Sequence, residues 1–341
     1  MIKCGKPTSS RVFYCCFRGI LSKKESLTKM KTQNKILIIF SSVFVFIIGA
    51  LIFILPHESF SSKENRYLTT LSKPTSQSIL NGDFSKNISS FYADQIPFRN
   101  YSTALYALCE KALGKNEING VISYGSHLIT RSKQKEAPST NFDAIWIESK
   151  YSLFKSGSQD LSLYYKTDHH RNAKGAYLLY LNACEKLGVV PFEENYFTKQ
   201  TVSTDFFGTA FSRSCLPAFL VKPDTITLYR YLGDDSVKIT VHDSGRSFLG
   251  FYDFSKLDNT DKYALFLGGN YAHATVFSSS EKPTLLLVKD SFANAVVPLL
   301  ALHFNIELID PRYSSPAKIS NLVSNLNYDS ALILACYESF S

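Results

Sequence analysis

The sequence predicts a layered α/β domain built on a parallel sheet and preceded by one transmembrane helix. Three observations predict it. Toward the C-terminus, short apolar runs alternate with helical patterns. Nearer the N-terminus, the 20 residues Ile36–Leu55 carry no charge. And the formal net charge of +8 is confined to the stretch before that segment: Met1–Lys35 holds nine basic residues and one acid, while the remainder balances 28 against 28. With 341 residues, 45% of them hydrophobic and 14% aromatic, the chain has apolar surface for at least one sizeable core. A disordered or collagen-like chain is therefore excluded.

The alternation is clearest from Thr284 onward. Thr284–Val288 (TLLLV) is a continuous apolar run, the pattern of a strand buried on both faces. Ser291–Phe304 is helical in pattern, with Pro298 either kinking it or starting its regular part. Asn305–Ile309 predicts a second strand, Pro316–Leu326 a second helix and Ser330–Ala335 a third strand. This β-α-β-α-β order implies parallel pairing with right-handed crossovers. Upstream, Asn172–Leu187 is a helix stopped by Gly188, and Ile118–Ile129 reads as a hairpin. Ile79–Leu113 shows helical spacing (Phe84, Ile88, Phe91, Tyr92) broken at Gln95–Arg99.

Ile36–Leu55 spans roughly 30 Å as a helix, the thickness of a bilayer's hydrocarbon core. It is longer than a signal-peptide core and no small-x-small cleavage site follows it, so an uncleaved anchor ended by Pro56 is expected. Basic residues on its N-terminal flank place the tail in the cytoplasm and the rest outside. Met30 is an alternative start that leaves this topology unchanged. The expected order is a basic tail (1–35), the membrane helix (36–55), a Ser/Thr/Lys/Pro-rich stalk with connecting helices (56–110) and an extracytoplasmic α/β domain (111–341). The neutral outer part offers no footprint for polyphosphate, which argues against a nucleic-acid partner. Among the cysteines, Cys109, Cys184, Cys215 and Cys336 lie outside and lack CxxC spacing, so a metal knuckle is not expected. They fit two disulfides or four free thiols. Cys15-Cys16 in the tail fits a lipidation site.

Two constellations carry chemistry. Asp168-His169-His170 stands just before a helix, where a carboxylate can orient an imidazole that acts as general base. Lys289-Asp290-Ser291-Phe292-Ala293 falls at the C-terminal end of a central strand, the edge where open α/β sheets place their ligand sites. A serine there has the N–H groups of a helix N-terminus beside it for an oxyanion. Serine, histidine and aspartate suffice for acyl transfer through a covalent intermediate. The plainer readings are an Asp-Ser N-cap and a hydrogen-bonded or metal-holding His cluster. Nothing in either pattern calls for a cofactor.

The stretch TDHHRNAKGAYLLY resembles the signature of the DHHW family of bacterial membrane-anchored proteins. That family is similar to the SGNH-like domains of the alginate O-acetyltransferases AlgJ and AlgX. ENRYL (64–68), DQIPFRN (94–100), INGV (118–121), FFGTAFSR (206–213), FLGGN (266–270), KDSFAN (289–294) and IDPRY (309–313) extend the resemblance over nearly the whole outer part. It implies an SGNH-hydrolase-like three-layer domain with a catalytic triad of Ser291, His170 and Asp168, His170 because the related pattern is Asp-x-His. It also implies second-tier roles for Asn270, as an oxyanion donor, and for Arg312, as an anchor of the triad or of an anionic group. Turn chemistry for Asn270 and an ion pair for Arg312 are the alternatives. Two departures stand out. Arg171 occupies the place of the family's Trp, removing an aromatic wall from beside the base, and the stretch between Ile129 and Trp146 is short.

The expected protein is thus a single-pass membrane acyltransferase or esterase acting on O-acyl groups of a cell-envelope polysaccharide. An extracytoplasmic transferase has no direct access to cytosolic acyl donors and needs a membrane partner to pass the acyl group across. The alternatives are a non-catalytic glycan-binding or assembly protein on the same fold and a DHH-type metallophosphoesterase. The latter needs further aspartates upstream of Asp168 in an Asp-x-Asp pattern that the sequence lacks.

Overall fold

The computed structural model describes residues 34–47, 49–52, 54, 57–61, 63–64, 66–133, 136–158 and 160–339. Residues 1–33 of the basic tail, with Met30 and Cys15-Cys16, and Pro56 lie outside these residues. Helix α1, Asn34–Ile52, is long and apolar enough to cross a membrane, with a mean hydropathy of 2.6 over its best window. The described residues then fall into two compact units.

The smaller unit holds the residues up to Ser59 together with Leu68–Arg99. The segment expected as a stalk is ordered by local caps. Thr75 and Ser78 close a reciprocal capping box on helix α2 (Ser76–Leu80). Helix α3 (Asp83–Gln95) presents the buried Asp94 to the backbone N–H and hydroxyl of Thr69, at 2.8 and 2.9 Å.

The larger unit is Phe60–Tyr67 with the residues from Asn100 onward. Its first strands are a two-residue ribbon, β1 (Phe60–Ser61) with β2 (Arg66–Tyr67). After helix α4 (Arg99–Ala112), the predicted hairpin is a three-stranded meander of β3 (Glu117–Ile118), β4 (Val121–Tyr124) and β5 (His127–Thr130). There follow β6 (Ala144–Ile147), α5 (Lys150–Ser156), α6 (Ala173–Leu187), β7 (Thr198–Phe206), α7 (Thr209–Ser214) and β8 (Asp224–Arg230). The chain closes with β9 (Lys238–Val241), β10 (Arg246–Leu249), β11 (His273–Phe277), β12 (Thr284–Lys289), α8 (Val297–Leu300), β13 (Asn305–Ile309), α9 (Pro316–Asn325) and β14 (Ser330–Cys336).

Seven strands form the central sheet in the order β10-β9-β11-β13-β12-β14-β6. The three strands read as parallel pair as expected: β12 lies parallel to both β13 and β14, and β6 extends this half from the far side of β14. The sheet as a whole is mixed rather than parallel, which corrects the sequence expectation. Strands β9, β10 and β11 add antiparallel to the β13 edge. They escaped prediction because each is only four or five residues long and alternates, so no continuous apolar run marks them.

The predicted helix Ser291–Phe304 is also divided. Ser291–Ala293 forms a single 3₁₀ turn, and α8 begins only at Val297. Pro298, in the first turn of α8, has no N–H to donate and so starts the regular part rather than kinking it. Helix α6 matches its prediction closely. The Asn172 side chain caps the Gly175 N–H at 3.1 Å, and Gly188 closes the helix in the left-handed region at φ 67°. Its face Ala176, Leu179, Tyr180, Ala183, at spacing 3, 4 and 7, is buried against the sheet and α8. Cys109, Cys184, Cys215 and Cys336 are present as thiols, the last three buried.

Candidate active site

Strand β12 delivers its last residues into the loop that starts the 3₁₀ turn, and this loop carries Ser291. Asp290 fixes it. One carboxylate oxygen accepts from the Phe292 N–H at 2.9 Å and the other from the Cys336 N–H at 3.0 Å, so the nucleophile loop is tied to the end of β14. The plain N-cap reading of Asp290 is therefore correct. The same bond takes the Phe292 N–H that a helix start would otherwise offer to an oxyanion.

Asp168 and His170 arrive from the loop before α6 and meet Ser291 across 121 residues of sequence. His170 Nδ1 lies 2.6 Å from Asp168 Oδ1, and His170 Nε2 lies 3.0 Å from Ser291 Oγ. The acceptor-only carboxylate requires the proton on Nδ1, which leaves the Nε2 lone pair facing the serine hydroxyl. Asp168 is 1% exposed and accepts four hydrogen bonds. Beyond the Nδ1 bond they come from the His170 N–H at 2.9 Å, the Thr209 N–H at 2.7 Å and the Thr209 hydroxyl at 2.9 Å. Burial by itself would raise the carboxyl pKa, but the two neighbouring imidazoles and these donors hold it well below the usual carboxylate range.

The motif's other histidine stands beside this chain of bonds. His169 Nδ1 donates to the Thr209 hydroxyl at 2.6 Å, and its ring leans on that of His170 at 3.9 Å. Burial, then the adjacent His170, pulls its pKa down to about 4, so it is neutral near pH 7. With Thr209, Arg213 and Phe292 it walls a cleft of about 360 Å³ that opens beside the triad.

Glycine at 208 is obligatory for this packing. A Cβ there would stand 2.2 Å from Asp168 Cβ, far inside van der Waals contact. The aromatic wall expected to vanish with Arg171 is present from elsewhere. The Tyr263 ring stacks on His170 at 3.7 Å and 7°, Phe292 lies 5.2 Å away, and Arg171 itself rests over Tyr164. Burial raises the Tyr263 pKa well above its ordinary value, so its hydroxyl stays a donor, to the Ser291 carbonyl at 3.3 Å.

Three residues that sequence reasoning missed hold the Asp168-His169-His170 segment in place. Lys150, 2% exposed, donates its ammonium among four carbonyls: Tyr165 at 2.6 Å, Leu128 at 2.8 Å, Lys166 at 2.9 Å and Asp168 at 3.0 Å. Burial draws its pKa down to about 7. Asp224, the first residue of β8, accepts from the Lys166 N–H, the Thr167 N–H and the Thr167 hydroxyl at 2.8, 2.7 and 2.6 Å. Thr209 is the third. A lone Lys at a helix start and an Asp before a strand give no sequence signal; only the tertiary fold brings them beneath the DHH segment.

Of the second-tier residues, Asn270 joins a network with the nucleophile loop. Its Oδ1 accepts from Asn294 at 3.1 Å and from Lys289 at 3.4 Å, and Lys289 also donates to Asn294 Oδ1 at 2.6 Å. Lys289 is buried, which lowers its pKa to about 8. Arg312 behaves otherwise. Its guanidinium forks onto the fully buried Asp310 at 2.9 and 2.6 Å, and it makes no hydrogen bond to Asp168, His170 or Ser291 among the described residues. This is the ion-pair alternative, with a buried partner.

Comparison with known proteins follows the same segment. A family model described as DHHW protein matches residues 138–309, half of the chain, including Asp168, His170 and Ser291. The chain belongs to the DHHW family. Among solved structures, this DHHW chain is similar to a DHHW family protein from Eubacterium siraeum. The two are 19% identical, with a TM-score of 0.49 over 65% of this chain and 92% of that one. It is also similar to Bacillus cereus PatB1, solved with a sulfonyl adduct (21% identity, TM-score 0.42, 55% of this chain and 66% of that one). A second PatB1 structure gives 21% identity and a TM-score of 0.43 over 52% and 64%. No curated protein matches the sequence.

Proposed function

We propose that this DHHW protein is a membrane-anchored, SGNH-like acyltransferase or esterase that acts on O-acyl groups of a cell-envelope polysaccharide. The observation that carries the reading is the continuous chain from Asp168 through His170 to Ser291, at 2.6 and 3.0 Å, beside an open cleft. In this reading His170 Nε2 takes the proton of Ser291 Oγ as the oxygen attacks the acyl carbon. The same proton then leaves with the departing alcohol, which frees the acyl-serine for transfer to a sugar hydroxyl or to water. Asp168, held ionised by its donors, orients His170 and stabilises the imidazolium. Asn270, its carbonyl oxygen held by Lys289 and Asn294, keeps its amide NH₂ available and serves in this reading as the oxyanion donor. Arg312 has no part in these steps.

Helix α1 anchors the domain with its N-terminus in the cytoplasm, and a membrane partner supplies the acyl group. The DHHW fold here is then the outer, acyl-accepting half of a relay.

The test is incubation of the full chain in detergent with an aryl acetate and with a sulfonyl fluoride. Mass spectrometry is expected to place the adduct on Ser291, and Ser291→Ala to lose both labelling and ester turnover. Undiminished turnover by that variant would sink the triad. A metal-dependent reading has one specific support, since single donor atoms of Asp168, His169 and His170 lie within 4.8 Å of one another. Those atoms are, however, already engaged with each other and with Thr209. Activity that follows added Mn²⁺ in chelator-stripped protein would favour it.

A further inference from the structure

The open face of the antiparallel half-sheet carries a second constellation that the triad does not use. β9 and β11 pair so that Val241 faces Ala274, and one step further His242 faces His273, closed by the His242 N–H to the His273 carbonyl at 3.1 Å. On the other flank β11 pairs with β13, and Thr275 faces Glu307. Residues directly opposite in an antiparallel pair share a face, and diagonal neighbours on that face are within side-chain reach. The register of three strands thus gathers His242, His273, Thr275 and Glu307 on one side.

Their polar atoms converge. His273 Nε2 lies 2.7 Å from Glu307 Oε2, His242 Nε2 lies 2.6 Å from the Thr275 hydroxyl, and that hydroxyl lies 3.0 Å from Glu307 Oε2. The imidazoles stack at 4.0 Å and 12°, and one donor atom from each of His242, His273 and Glu307 lies within 4.8 Å of the other two. We propose that His242, His273 and Glu307 bind a divalent transition-metal ion of borderline softness, with Zn²⁺ as its type, leaving a fourth position open.

Two imidazoles and a carboxylate are the donor set for such ions, and the nitrogens disfavour Ca²⁺ and Mg²⁺. Four ligands at about 2.1 Å in a tetrahedron stand roughly 3.4 Å apart, so the widest-spaced donors, which lie within 4.8 Å of one another, must close in by up to about an ångström. His273 and Glu307, hydrogen-bonded at 2.7 Å, must instead open by roughly half an ångström or more to admit the ion. His242 follows β9 directly, in the exposed turn to β10, and is the ring free to swing. The two Nε2 protons now serving Thr275 and Glu307 move to Nδ1 when the metal takes their place.

The experiment uses the full chain in detergent, thiols alkylated and metal stripped, titrated with ZnCl₂ by calorimetry and followed by thermal unfolding. The expected result is one equivalent bound and a Zn²⁺-dependent rise in Tm. Both are abolished in the double variant His242→Ala, His273→Ala, and affinity falls about 10-fold or more in Glu307→Gln. The equivalent persists in His170→Ala. Absence of Zn²⁺ binding and of any Tm shift in the wild type would overturn the proposal, whatever the variants do. So would an equivalent lost in His170→Ala but kept in the double variant.

Discussion

Strands β12 and β14 run parallel and expose none of their side chains, whereas β9, β10 and β11 run antiparallel and each leave residues exposed to solvent. The difference decides how each half can build a site. In the parallel half no strand face is available, so functional groups sit in the loops at the C-terminal edge, where Ser291 follows β12 and is met by a loop from elsewhere in the chain. In the antiparallel half an open face exists, and register alone sets side chains from three strands next to one another. One half makes a site by loop convergence over a long sequence separation, the other by cross-strand adjacency.

The sharpest break of this contrast is at the nucleophile. Ser291→Ala is expected to reduce ester turnover by on the order of 10⁴-fold or more, read from kcat/KM with an aryl acetate. His273→Ala on the open face should leave that value within about two-fold, and a large loss there would join the two halves into one machine. Asp168→Asn comes next, with a loss of about 10²–10⁴-fold from a mis-set His170 tautomer.

Asp168→Asn also carries a pH signature. The folded-state pKa of Asp168 is depressed, so its stabilising contribution is fully present above the unfolded value of roughly 4 and is lost as pH falls through the folded value. Urea midpoints of wild type and variant should therefore converge on acidification and separate near neutrality. Parallel titration curves would remove the linkage.

Packing gives the next tier. Leu287→Ala in β12, fully buried in the main core, should cost about 2–5 kcal/mol in urea unfolding. Gly208→Ala should cost about 1–3 kcal/mol and lower kcat as well, because the added methyl displaces the Asp168 carboxylate. Thr240→Ala on the open face of β9 should stay within about 0.5 kcal/mol. If Thr240→Ala proved as costly as Leu287→Ala, the open face would be a buried one in the working protein.

The same contrast explains what could be read in advance. TLLLV and SALILA are continuous apolar runs, and both parallel strands stand where the sequence puts them. KITV, RSFL and HATVF are short and half polar, and their place in the sheet depends on pairing partners that no local pattern names. The convergence of Asp168, His170 and Ser291 was legible because each motif puts a polar group at an element's end. Lys150, Thr209 and Asp224 were not, since their work is to donate to or accept from backbone and carboxylate atoms far away in sequence. Tyr263 shows the complementary case: Arg171 in place of the family's Trp suggested a missing wall, and an aromatic ring from a different segment fills it.

Asp290 ties the loop that carries Ser291 to the Cys336 N–H, so the loop's geometry depends on a strand 46 residues further along the chain. During synthesis Asp168, His170 and Ser291 have all emerged before β14 exists to pin them. Until β14 is in place, Asp290 lacks one of its two backbone partners and the loop that carries Ser291 is held from one side only.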